Sequence, residues 1–294
     1  MSWTGVVHSV KINFVNHYWL LCMQLLPRVL PNWLVLGALL AGFYFTATPV
    51  NGQAERCSTA LGQVVTSHGG ELSGAVEVLS WNIQKAGNVG WAEDLANFSA
   101  GIDLAFIQEA SVQAHIPKAI RENMHEAFAA GYTTDSMQTG VMTVSSSSPS
   151  VACNLTSWEP WLGTPKATSI TEYPLQDREE RLLTINLHAV NFTLGLVNFQ
   201  AQFQALTDVL NKHQGPVILA GDLNTWSDKR QALVDNFMSK HGLNPVTFEP
   251  DLRTTTFGHA LDHIYVRGML AEAARVIQVS SSDHNALRVR LAFQ

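Results

Sequence analysis

Six apolar runs in this chain end or begin on a residue able to move a proton or hold a cation, and no other feature restricts the fold as much. VLSWN ends at Asn82, LAFIQE at Glu109, TINLH at His188, and VILAGDLN at Asp222 and Asn224. LDHIYVRG opens on Asp262 and His263, and SSDHNALRV on Asp283 and His284. A run such as Val217–Leu219 reads as a buried strand, and Gly, Asp and Asn after it make an acceptable turn. Turn chemistry explains one such junction. Six with acidic, amide or imidazole termini imply strands gathered so that their ends meet.

The rest of the chain supplies strands and helices in alternation. VEVLSW and Leu104–Ile107 read as strands around a helix in WAEDLANFSA, and a second helix is expected over residues 115–130. TGVMTVS, SVACNL, ATSITEY and RLLTINLHAV follow as extended segments. Val197, Phe199, Phe203, Leu206, Val209 and Leu210 recur at helical spacing over 197–213, and another helix is expected over 228–241. Three strand-like pieces close the chain. The pattern predicts one α/β domain, its strands mostly antiparallel and its helices outside.

Charge narrows the function. The first 54 residues hold only Lys11 and Arg28 as charged groups, which leaves 16 basic against 24 acidic residues in the remainder. A part carrying −8 does not advertise the Lys/Arg surface on which non-specific duplex binding rests. Trp33–Val50 (WLVLGALLAGFYFTATPV) has no charged residue and follows Arg28. It fits a signal anchor near the lower length limit for a bilayer span. Equally, a signal peptide starting from Met23 fits, with Gly52 and Ala54 spaced like a cleavage site. Residues 1–54 are therefore read as signal peptide or anchor, 55–75 as a linker and 76–294 as the folded domain. Either reading puts the domain outside the cytoplasm: secreted, periplasmic or membrane-anchored. Cys57 and Cys153 are then a candidate disulfide.

The residue types also select a chemistry. Carboxylates and an amide suit a hard divalent cation such as Mg²⁺, with Mn²⁺ as a substitute. Histidines and aspartates supply proton transfer. The chain has no P-loop, GxGxxG, nucleophile elbow, HExxH or paired-cysteine spacing, which argues against nucleotide-fold, acyl-transfer and zinc-hydrolase readings. A phosphate ester matches best, because the charge its oxygens gather can be neutralised by the metal.

WNIQ (81–84), QE (108–109), INLHAVNF (185–192), GDLN (221–224), LDHIYVRG (261–268) and SDHNALRV (282–289) together resemble the ordered signature of the endonuclease/exonuclease/phosphatase superfamily. The resemblance runs from about residue 76 to the C-terminus. One departure is Ala286, where the pattern often has Pro. The resemblance implies a four-layered α/β sandwich of two mostly antiparallel sheets flanked by helices, here preceded by an N-terminal hydrophobic helix. It implies Glu109, Asn82 and Asp283 around the metal, Asp222 as orienter or base for the attacking water, and Asn224 on a phosphoryl oxygen. His284, paired with Asp262, becomes base or transition-state stabiliser, and His188 the second imidazole. The expected substrate is a phospholipid, another small phosphodiester or a nucleic acid. A membrane contact through residues 33–50 is expected if they are retained. An endonuclease acting on DNA and a catalytically inactive binding protein on the same fold are the alternatives. His263 should face away from Asp262, by strand alternation. Lys166 is either a phosphate contact or a surface lysine.

Overall fold

The computed structural model describes residues 48–63, 70–193 and 195–294. The apolar run as far as residue 47 lies outside them. Among the described residues no helix is long and apolar enough to cross a membrane. In chain order the elements are α1 (Thr48–Ala60), β1 (Ala75–Asn82), α2 (Trp91–Phe98), β2 (Leu104–Ser111), α3 (Ile116–Ile120), β3 (His125–Thr133) and β4 (Gln138–Ser145). These are followed by β5 (Val151–Glu159), β6 (Thr164–Pro174), β7 (Arg181–His188), α4 (Val197–Gln204), α5 (Thr207–Lys212), β8 (Val217–Asp222) and α6 (Asp228–Lys240). The last are β9 (Asn244–Pro245), β10 (Thr255–Thr256), β11 (His259–Ala260), β12 (Asp262–Arg267), β13 (Met269–Ile277) and β14 (Ala286–Phe293).

Two six-stranded sheets form, in the orders β13-β14-β1-β2-β4-β3 and β5-β6-β7-β8-β12-β9. Each contains one parallel pair, β1 with β2 and β7 with β8; the other pairings are antiparallel. Period-two alternation sorts the side chains onto two faces. Val76 and Val78 of β1, Phe106 of β2, Ile218 and Ala220 of β8 and Ile264 of β12 pack between the sheets. Leu79, Trp81, Ala105 and Ile107 face outward to α2 and α3, and Leu183, Ile185, Leu219 and Tyr265 face α4, α5 and α6. The order is helices, sheet, sheet, helices.

This alternation aims the strand ends. Asn82 continues the inward row of Val76 and Val78, and Asp222 that of Ile218 and Ala220. Asp262 and His188 hold the equivalent places on β12 and β7. Each parallel pair brings two carboxyl ends to the same edge, and β12 starts there. Between the sheets, Gln108 Nε2 donates to Asn186 Oδ1 at 2.8 Å and Asn186 Nδ2 to Met142 O at 3.0 Å. This buried polar bridge fixes one sheet against the other just behind that edge.

Three local expectations change. Residues 55–75, read as a linker, begin inside α1, whose Ala54 and Cys57, with Leu61 just past its end, are buried against β5 and α5. Small residues carry that stripe, so composition hides it. Cys57 is disulfide-bonded to Cys153 of β5. Residues 115–130 form only the short α3 before β3 begins, because pairing with β4 overrides local propensity. The helix expected over 197–213 is split into α4 and α5. By contrast, α6 starts one residue after Ser227, whose hydroxyl caps Arg230 N at 3.4 Å.

Glu172 of β6 ties the far end of α1 down. It is buried and accepts from Gly62 N at 3.0 Å, with Arg181 Nη1 at 3.5 Å and His213 Nδ1 at 3.4 Å. Burial alone would raise its pKa; the contacts with His213, Gly62 and Arg181 outweigh that and hold it below 4.5. A depressed carboxylate stabilises the fold above its unfolded pKa, and the contribution disappears as pH falls through the folded value. Glu172→Gln is therefore expected to melt below wild type at pH 7 and to converge with it only as pH falls well below 4.5. Melting curves separated equally at both pH values would contradict this.

Candidate active site

The GDLN stretch is shaped by its backbone. Gly221 sits at φ +146°, and a Cβ there would collide with the Leu187 carbonyl of the neighbouring strand, so only glycine fits. Asp222 Oδ1 accepts from Asn224 N at 3.0 Å, which closes a side-chain turn, and Asn224 adopts φ +50°, a conformation Asn tolerates. Leu223 is fully buried beneath the turn. Asn224 Nδ2 donates to Ala189 O at 2.9 Å. The residues that looked like turn formers thus make a rigid mount with both polar side chains fixed.

Sheet register aligns three of the groups. His188 and Asp222 are paired positions across β7 and β8, and Asp222 and Asp262 across β8 and β12. Asp222 Oδ2 accepts from Asn82 Nδ2 at 3.1 Å and lies 3.5 Å from His188 Nε2 and 3.8 Å from His284 Nε2. Asp262 Oδ2 accepts from His284 Nδ1 at 2.7 Å. The loop carrying His284 is held by the core: Trp81 Nε1 donates to His284 O at 2.8 Å, and Ser282 Oγ to Asn82 O at 2.6 Å. All these side chains except Ser282's neighbour Asp283, which is exposed, are buried.

Burial and charge set the protonation states. Burial would lower the His284 pKa, but Asp262, then Asp222 and Asp283, outweigh it and raise it to about 10. The ring is therefore an imidazolium at neutral pH. Burial raises the pKa of Asp222; His284 opposes the rise and Asp262 adds to it, and the net shift is upward. His188 moves the other way, well below 6.5, through burial and the positive charges of Lys166, His284 and Lys85. Lys166 Nζ donates to its Nε2 at 2.9 Å, which leaves the ring proton on Nδ1. His263 lies on the outer face, 2.7 Å from Thr225 Oγ1, and burial with Arg253 beside it lowers its pKa to about 4. It is a packed neutral ring.

A cleft of about 310 Å³ opens beside this cluster, with Lys85, Glu109, Lys166 and His188 among its walls. Glu109 stands at φ +49° where the pairing of β2 with β4 shifts register, and its Oε2 lies 3.1 Å from Lys85 Nζ. Left-handed backbone at a glutamate is strained. Among the described residues, Asp222, Asp262 and His284 form a group within 4.8 Å that could hold a metal ion. Glu109 and Asp283, expected from the sequence around the metal, are not members of that group. Asn82 joins the Asp222 cluster, and Glu109 belongs to the cleft wall.

Sequence reasoning passed over Lys85, Arg230 and Glu159. Arg230 is buried under the site and donates through Nη1 to Asn224 O at 3.0 Å and Val190 O at 2.9 Å, and through Nη2 to Asn191 O at 2.7 Å. Its guanidinium lies 4.3 Å from the centre of the Phe199 ring and 4.5 Å from that of Trp226. Glu159 Oε1 accepts from Asn191 N at 2.6 Å. Together they fix the loop after His188.

The comparisons agree with this architecture. The sequence profile of the endonuclease/exonuclease/phosphatase family matches residues 79–284. A UPF0294 protein of Vibrio vulnificus is 38% identical over 228 residues, 74% of this chain and 78% of that protein. One from Klebsiella pneumoniae is 35% identical over 218 residues, 74% of this chain and 82% of that protein. Among solved structures, the mannosyl-6-phosphatase of Bacteroides thetaiotaomicron superposes with TM-score 0.55 at 17% identity, covering 74% of this chain and all (100%) of that one. The human Nocturnin catalytic domain with bound sulfate superposes with TM-score 0.57 at 18% identity, covering 79% and 96%. At those identities the superpositions attest the fold alone. The profile match, over more than half of the chain, places it in the endonuclease/exonuclease/phosphatase family.

Proposed function

We propose that this protein is a divalent-metal-dependent phosphoesterase, with phosphodiesters the preferred class, working outside the cytoplasm. The observation that carries the reading is the buried carboxylate of Asp222 between two imidazoles of opposite protonation state, neutral His188 and cationic His284. Such a pairing of environments separates an acid from a base on one surface. Asp222, with its proton affinity raised by burial, takes the proton of an attacking water. The His284 imidazolium, held by Asp262, offers charge to phosphoryl oxygens as they become more negative. Asn224 and Asn82 orient the water and an oxygen of the substrate, and Lys166 and His188 meet the phosphate from the cleft wall. The phosphatase activity in the name of the Bacteroides protein and the sulfate bound by Nocturnin both fit a tetrahedral oxyanion in this fold.

The donor atoms present fit a hard cation. In the Asp222, Asp262 and His284 group, the imidazole is already protonated and committed to Asp262, so it suits proton transfer better than ligation. Glu109 fits instead: a strained, half-buried carboxylate in the cleft wall, already facing a cationic Lys85. Glu109, with Asn82 and Asp283 as further oxygen donors, would hold Mg²⁺, or Mn²⁺ in its place, and the ion would supply neutralisation of phosphoryl charge. The Cys57–Cys153 bond supports export, since such bonds persist in oxidising compartments.

The test is hydrolysis of bis(p-nitrophenyl) phosphate by the full chain. Release of p-nitrophenolate is expected with Mg²⁺, to stop in EDTA and to return when Mg²⁺ is restored. Glu109→Ala should require a higher Mg²⁺ concentration for the same rate. If the wild type released nothing from this ester, from p-nitrophenyl phosphate or from plasmid DNA, the reading would fail.

A further inference from the structure

The register of α1 on β5 fixes where the described chain enters the domain. Gln53 Oε1 accepts from Thr156 N at 2.9 Å, Cys57 is bonded to Cys153, and Gly62 N reaches Glu172 at 3.0 Å, opposite Val151. Going backward along α1 is therefore going forward along β5, toward Glu159. At that edge β5 ends, β6 begins and β7 ends, and Lys166 meets His188 there. α1 begins at Thr48, about 7 Å beyond Gln53 at 1.5 Å per helical residue. α1 thus starts at the edge that carries the cleft. Immediately before it, in sequence, lies the uncharged run that starts at Trp33.

The two ends of this sheet differ in polarity. At the cleft edge the end of β5 exposes Trp158 (50%), the β5–β6 turn exposes Trp161 (64%) and Leu162 (57%), and Phe192 (57%) stands on the loop after β7. Leu162 and Phe192 also line the cleft. At the opposite end the β6–β7 turn exposes Asp177, Arg178, Glu179 and Glu180. Tryptophan at an apolar–aqueous boundary is the side chain expected at a membrane interface. The fate of the apolar run is also constrained. Gly52 and Ala54, the small residues suited to a cleavage site, lie inside α1, and Ala54 is buried. Cutting after Ala54 would remove Gln53 from Thr156 and Ala54 from the core.

We propose that the apolar run is retained as an anchor, that the cleft edge faces the bilayer, and that the substrate is a phosphate ester carried on a lipid. The apolar part of that lipid lies against Trp158, Trp161, Leu162 and Phe192, and its phosphate reaches Lys166 and His188. The identity of the substrate rests on the phosphoesterase reading; the orientation of the domain does not.

Two arms test this with the full chain reconstituted in phosphatidylcholine–phosphatidylglycerol vesicles. In a Cys22→Ser background, a polarity-sensitive dye is attached to Trp161→Cys or to Asp177→Cys. The first should report an apolar surrounding and be quenched by lipid-borne nitroxide, and the second should stay aqueous. Equal aqueous signals at both positions would overturn the orientation, whatever the enzyme does. In the second arm, Trp158→Ser/Trp161→Ser should lose about tenfold or more on vesicle phospholipid, as expected when interfacial apolar area is removed, and keep its rate on bis(p-nitrophenyl) phosphate. Hydrolysis of the soluble ester or of DNA without any turnover of vesicle lipid would overturn the lipid substrate. No hydrolysis of the soluble ester at all would instead sink the phosphoesterase reading, and the dye arm would still decide the orientation.

Discussion

Replacing His284 with alanine is expected to lower kcat/KM on bis(p-nitrophenyl) phosphate by about 10²- to 10⁴-fold, the range for loss of a positioned acid–base group. The size follows from how the site is wired. His284 is the cation between Asp262, at 2.7 Å, and Asp222, at 3.8 Å, and both carboxylates are buried. Without it, burial and the neighbouring Asp262 charge push Asp222 toward its protonated form, and a protonated Asp222 cannot accept a proton from water. One substitution therefore removes both the stabilising charge and the base. His284→Gln separates charge from shape, because it can still donate to Asp262 yet stays neutral; it should lose nearly as much as alanine. Asp262→Asn should fall between, since it keeps the contact and weakens the charge that holds His284 protonated. Thermal unfolding must accompany each rate, because an unpaired buried carboxylate also costs about 1–3 kcal/mol of stability. A folded His284→Gln with a rate within about threefold of wild type, far inside the expected loss, would remove His284 from the mechanism.

How much of this was legible in the sequence depends on where each partner sits. Strand ends were readable because alternation is local: once Ile218 and Ala220 face inward, so does Asp222. The same parity correctly turns His263 away from Asp262 and into contact with Thr225. The pairing of β7, β8 and β12, which brings His188, Asp222 and Asp262 level, is a long-range fact that no single segment contains. Arg230 was invisible for a different reason. Its partners are the carbonyls of Val190, Asn191 and Asn224, and backbone oxygens leave no mark in a sequence. Lys85 lies only three residues after Asn82, yet it meets Glu109 because residues 84–86 all take positive φ, which their types do not announce. α1 was misread because Ala54 and Cys57 are small, and a stripe of small residues looks like a polar linker until a strand is found beneath it.

That helix carries the second large effect. Cys57→Ser/Cys153→Ser is expected to destabilise the domain by about 2–5 kcal/mol. The bond joins positions 96 residues apart, so in the chain-entropy account it closes a long loop of the unfolded chain and lies near the upper part of that range. For a chain of this size such a loss corresponds to a fall in Tm of roughly 5–15 °C. Packing adds to the constraint, because Cys57 sits between Ala54 and Leu61 in the stripe buried against β5. Reduction of the wild type with dithiothreitol separates the two contributions, since it breaks the bond and leaves the sulfur atoms in place. The reduced wild type should therefore melt between the oxidised protein and the double serine variant. Activity on a soluble ester should survive at temperatures where each form is folded, because β7, β8, β12 and the loop before β14 supply His188, Asp222, Asp262 and His284, and α1 supplies none of them. A reduced protein with unchanged Tm would mean that α1 is held by Gln53, Glu172 and its apolar stripe alone. The bond would then contribute nothing measurable to the stability of the fold.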